Sequence, residues 1–300
     1  MALRDTAMAL RHINDERLRF PVLFILMPEI STHELYSRLS PRNRAAIILC
    51  SKKIYKHIMD TPIDAMNDDQ WFQTLKWMFE TGRDWDGPSD GHDPYDAVID
   101  YIAALLIVTY EDKSILKDVA GLIFRRNRQG HFIHDLVWSF FQTLDKDALV
   151  LISQYLLSEN PRDVELAAKL LCIQAPVLNR DKARKIQRQF LDWFDDNKPY
   201  LYLTGEHFQM TSNPRHLDAD TEAKYLGKEI LPRFRAPIEP LTEEEIECLR
   251  QFRAAAPEDQ VQLTVYSHKL RNSDLRLWYE WMRKQLAEQV LAARATYEVT

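Results

Sequence analysis

The residues best suited to chemistry stand in one short stretch, DWDGPSDGHDPYD, from Asp84 to Asp96. It places five aspartates, two glycines and a histidine in thirteen residues of a chain with seven glycines in all. Alternating carboxylates before a glycine are the chemistry of a calcium loop. There, acids at positions 1, 3 and 5 surround the ion, a glycine at 6 turns the backbone and an acid at 12 closes the shell. With Gly87 at position 6, Asp84, Asp86, Asp90 and Asp93 fall at positions 3, 5, 9 and 12. Position 1 falls on Gly82, which has no side-chain carboxylate to offer, and aspartate at 12 reaches less far than glutamate. The sequence therefore predicts a solvated acidic loop whose Asp93 caps a helix opening at Pro94. These four aspartates are kept as a candidate weak cation site.

A second polar group is His207, His216, Asp218 and Asp220 in GEHFQMTSNPRHLDAD. Histidine with carboxylate is transition-metal chemistry. No diagnostic ligand spacing supports it, and Asp220 or Thr221 is expected to cap the next helix instead. Two basic stretches remain. Arg125, Arg126, Arg128 and His131 surround one turn, and Arg180, Lys182, Arg184, Lys185 and Arg188 open another helix. If both reach one edge, Arg125, Arg126, Arg128, Lys182, Arg184 and Lys185 form a cationic stripe for phosphates or an acidic partner. The plain alternative is an ordinary solvated face.

Nucleotide loops, zinc-protease helices, nucleophile elbows and CxxC pairs are all missing, so no cofactor is expected. Net charge is -6, which does not suit a general binder of nucleic acid or anionic membranes. Cys50, Cys172 and Cys248 lie far apart in apolar-periodic stretches and read as buried free thiols of a reducing compartment. The longest apolar run, Phe20–Met27, is too short for a bilayer, which needs about 20 residues. Acids upstream of it do not fit a signal or transit peptide. The expectation is a cytoplasmic chain without membrane contact.

The elements that must position these groups read as helices. Ser40-Pro41 and Asn160-Pro161 are cap-plus-proline starts, and Thr242 with Glu245 is a capping box. Val164, Ala167, Ala168 and Leu171 form one apolar stripe. Three successive helix pairs start near Pro94, His131 and Pro161, a period of roughly 30–37 residues. Residues 232–240, with prolines at 232, 237 and 240, are the candidate linker. A last helix is expected from Ser273 to about Thr296, with Leu275, Trp278, Met282, Leu286, Val290, Ala293 and Tyr297 on one face.

LDKDALVLISQYLLSENPRDVELAAKLL resembles a HEAT-type repeat: a helix, a tight capped turn, then a helix carrying paired alanines. The resemblance extends over roughly residues 94–194, although the pairs do not match one another position by position. It implies an all-α fold of stacked antiparallel helical hairpins with flanking helices. The expected organisation is a repeat-like domain over 1–231, the linker 232–240, and a C-terminal segment 241–300 capping the stack. The function it implies is that of a non-catalytic scaffold presenting a helical surface to a protein partner. With the last helix as the cap of the stack a monomer is expected, and a dimer contact through that helix is the alternative. HEAT-like alkylpurine DNA glycosylases are the enzymatic alternative; Asp135 and Trp138, three apart on one face, are the residue types such a site uses. A helical domain binding a small ligand is the third reading.

Overall fold

A computed structural model describes residues 5–55, 67–85, 94–175 and 179–297. The protein is all-α, with only two short two-stranded sheets among the described residues. It forms two compact units, Met1–Leu166 and Ala167–Thr300.

The first unit holds α1 (Thr6–Ile13), α2 (Phe20–Thr32), α3 (Pro41–Tyr55), α4 (Asp68–Gly82), α5 (Pro94–Ala104), α6 (Leu116–Gln129), α7 (His134–Phe141) and α8 (Ala148–Ser153). It also takes the start of α9 (Pro161–Leu170). Local chemistry sets the helix starts. Ser40 Oγ accepts from Asn43 N at 3.4 Å ahead of α3, and Asn160 Oδ1 accepts from Arg162 N at 3.0 Å in α9. Asn67 and Gln70 make a reciprocal capping box on α4. The apolar run Phe20–Met27 lies in α2, where Phe20 and Leu23 are buried.

α5 packs against α3, α4 and α7, and α6 against α7 and α8. Gly82 ends α4 for a packing reason. Tyr95 of α5 donates its hydroxyl to the Gly82 carbonyl at 2.8 Å, and a Cβ on Gly82 would lie 2.6 Å from that hydroxyl. α5 runs directly into a π-helical turn, Leu105–Thr109. α6 stops at Gly130, whose φ of 78° provides a left-handed cap.

The second unit contains the rest of α9, then α10 (Arg180–Asn197), α11 (Thr221–Leu226), α12 (Glu243–Ala254), α13 (Pro257–Ser273), α14 (Leu275–Met282) and α15 (Leu286–Tyr297). Strand β1 (Leu201–Leu203) pairs antiparallel with β2 (Leu217–Ala219), and β3 (Ile230–Leu231) with β4 (Ala236–Pro237). Its main core joins Tyr225 and Leu226 of α11 to Leu249, Phe252, Leu263, Trp278, Trp281 and Ala293.

Several expectations change. The chain divides within α9 rather than at 232–240. The proline-rich stretch begins within the β3–β4 hairpin of the second unit, where Ile230 faces Pro237. The expected final helix is two helices, broken at residues 283–285, and Leu275 at its start is 50% exposed. Cys50 is buried as expected, but Cys172 is exposed, at a left-handed residue just after α9. Among the described residues no helix is long and apolar enough to cross a membrane.

Candidate functional site

Lys117, Gly121, Arg125 and Arg128 of α6 are spaced by four, four and three residues. A period of 3.6 puts them along one face of the helix. The glycine leaves a gap one turn after Lys117 and one turn before Arg125. Arg83 and Asp84, just beyond α4, border that gap on one side. Gln154 and Tyr155, in the 3-10 turn Gln154–Leu157 after α8, border it on the other. The result is a cleft of about 360 Å³ in the first unit.

Its three arginines are each paired with an acid. Arg83 pairs with Asp118 at 2.9 Å, and Arg125 with Asp84 at 3.2 Å. Arg125 also donates to the carbonyl of Arg83. Arg128 grips both oxygens of the buried Asp163, at 2.9 and 3.2 Å. Lys117 is exposed and has no ion pair with a described residue. Asp84 and Asp118 are 57% and 39% exposed. Pairs this wet are worth about 0–1 kcal/mol each, so an incoming anion can compete for the same guanidinium groups.

Tyr155 is fixed by stacking on Phe124, with ring centroids 3.5 Å apart. Its phenol is pushed above the ordinary tyrosine range by burial and by Asp163, so it stays a protonated donor. A larger cleft of about 660 Å³ lies between α2 and α3 and is lined chiefly by apolar groups such as Phe24, Met27 and Ile47. It has more room but few groups to orient a charged ligand.

Arg126 is separated from its neighbours by the same helical period. It is 3% exposed and reaches Asp100 at 2.5 Å and Asp96 at 2.9 Å, both on α5. His131 approaches Asp96 at 3.5 Å. Burial raises the Asp100 carboxyl to about 7, opposed by Arg126 and reinforced by Asp96 and Asp135. Of the three arginines expected at this edge, Arg125 and Arg128 line the cleft and Arg126 holds α5 to α6.

Lys182, Arg184 and Lys185 are exposed on α10, in the second unit. Asp135 is exposed on α7 and Trp138 is half-buried there. Of the acidic-loop candidates, Asp84 is committed to Arg125, while Asp86, Asp90 and Asp93 lie outside the described residues. His216 is buried and its imidazole is pushed down to about 4 by desolvation. Asp218 pairs with Arg215, and Asp220 caps α11 through Ala223 N at 2.8 Å. No group of three or more metal-type side chains is gathered among the described residues.

The sequence reading missed Arg83, Lys117, Gly121 and Tyr155. The signal for Lys117 and Gly121 was present in the i, i+4, i+8, i+11 spacing of α6. Arg83 and Tyr155 come from other elements and carry no local signal. No family model matches the chain, and neither curated proteins nor solved structures give a match.

Proposed function

We propose that the chain is a non-catalytic interaction or scaffold protein, and that its first unit takes an anionic segment of a protein partner in the α6 cleft. The carrying observation is the convergence of Arg83, Lys117, Arg125 and Arg128 on one cleft that Gly121 also lines. The resemblance of the sequence to HEAT-type repeats agrees with this reading, since such repeats commonly serve as binding surfaces. Cleft size favours one side-chain-sized anion over a nucleic-acid duplex, as does the net charge of -6.

The test is affinity capture from the native host with two baits, the natural chain and a Lys117→Glu/Arg125→Glu variant. Arg128 is left in place because the buried Asp163 depends on it. A partner held by the first bait and lost by the second, with both baits giving the same helical circular dichroism, is the expected result. A partner retained by the variant, or no partner on either bait, overturns the reading.

A further inference from the structure

Glycine inside a helix is destabilising relative to alanine, so each one needs a reason. Among the described glycines, Gly130, Gly205 and Gly227 have positive φ, and Gly82 lies under Tyr95 and Phe20. Gly121 has neither reason. It sits within α6 without a positive φ, and a Cβ there would meet nothing closer than the Tyr155 hydroxyl at 3.8 Å, an ordinary contact. The fold has room for a methyl group at this position and the sequence leaves it out. What the omission provides is close access to the helix backbone in the cationic cleft.

We propose that the cleft binds a phosphate monoester dianion over Gly121, held by Lys117, Arg125 and the Tyr155 hydroxyl. This rests on reading the cleft as the anion site of the protein. The built-in carboxylates argue for phosphate. Arg83 already has Asp118, Arg125 has Asp84 and Arg128 has Asp163. A ligand carboxylate would replace one monoanion by another and gain little. A phosphate monoester brings about -1.5 to -2 charges at pH 7 and three strong acceptor oxygens. It can accept from Lys117, Arg125 and Tyr155 together without displacing Asp84. Lys117, which has no ion pair with a described residue, is the cation with most to gain.

The same group is found on a phosphorylated side chain and on a small phosphate ester, and calorimetry separates the two. The probes are a short phosphoserine peptide, its serine and glutamate counterparts, and free O-phosphoserine. They are titrated into the full chain and into Gly121→Ala and Gly121→Leu. The phosphoserine peptide is expected to bind more than about tenfold tighter than the glutamate peptide, the equivalent of one charge-assisted hydrogen bond. Gly121→Ala should melt higher than the natural chain yet bind the phosphopeptide more weakly, and Gly121→Leu should lose binding while staying folded. A purely structural role for Gly121 would not move stability and binding in opposite directions.

Tighter binding of the peptide than of O-phosphoserine identifies a protein segment as the ligand, and equal binding identifies a small ester. A glutamate peptide that binds as well as the phosphopeptide overturns the phosphate proposal and leaves the anionic-partner reading standing. Unchanged phosphopeptide affinity in Gly121→Leu also overturns it. Absence of binding by every probe overturns it too, and the partner reading falls only if capture from the host is empty as well.

Discussion

Arg125, Arg126 and Arg128 read as one basic block in sequence, yet Arg126 is buried while its neighbours line a cleft. Helical period alone turns residue 126 away from 125 and 128, so that separation was legible. Its counter-charges were not, because Asp96 and Asp100 lie 30 and 26 residues upstream and meet Arg126 only once the first unit has folded. The groups around Asp100 are Arg126, Asp96 and Asp135, with His131 on the far side of Asp96. Arg126 holds the Asp100 carboxyl down against desolvation, so Arg126→Met should push it further above its present value of about 7. An acid whose folded pKa exceeds its unfolded value contributes stability at low pH and loses it as pH rises between the two. That window opens near 3.8 for Asp100 and extends to higher pH in the variant. The loss caused by Arg126→Met should therefore be larger at pH 8, about 3–5 kcal/mol for a broken buried pair, than at pH 5. Urea unfolding of both proteins at the two pH values measures it. An equal loss at both pH values would show that Asp100 does not carry the effect.

Helix beginnings were the most legible features at the scale of the element. The Thr242–Glu245 capping box, the starts at Pro41 and Pro161, and the Asp220 cap all stand where side-chain chemistry placed them. Helix interruption was not legible. Leu275 to Tyr297 keeps a continuous spacing of three or four residues, which predicts one helix. The chain breaks after Met282 because Gln289 collects the freed backbone. Its Nε2 donates to the carbonyls of Met282 and Lys284, at 3.2 and 3.0 Å. Its Oε1 accepts from the buried Tyr225 hydroxyl at 2.7 Å. One glutamine thus satisfies three groups, and nothing in its spacing announces this. Gln289→Leu keeps the side-chain volume but strands the buried Tyr225 hydroxyl, at about 1–3 kcal/mol for a group left without a partner, and removes the donor to Lys284, while the Met282 carbonyl keeps the Cys248 thiol at 3.7 Å. Thr242→Ala should cost only about 1 kcal/mol, the usual value of a cap. Denaturant midpoints of the two variants should fall in that order. A Gln289→Leu protein as stable as Thr242→Ala would mean that water or a rearranged helix end replaces the glutamine.

For the whole molecule, the helical class was written in the composition, but the division of the chain was not. Three prolines in residues 232–240 suggested a boundary, because proline removes donors and stiffens loops. Instead the prolines begin within a hairpin of the second unit, and the units divide within α9. The core of the second unit explains why a cut at 240 should fail. Tyr225 and Leu226 lie before that point, and they pack on Leu249, Phe252, Leu263, Trp278, Trp281 and Ala293 after it. Removing residues 241–300 would bare Tyr225, now 1% exposed, with its stacking partner Phe252 gone. Each large apolar side chain returned to water costs about 1.5–3 kcal/mol. A chain ending at residue 240 should therefore aggregate or melt well below the full chain. The full chain is expected to be monomeric, although Leu275, Leu277, Tyr279 and Leu291 are exposed in its last two helices. Light scattering on both chains decides between a core role and an interface role for these helices. A full chain that is dimeric, with a truncated chain that is a stable monomer, would show that α14 and α15 serve an interface and would reverse this account of the second core.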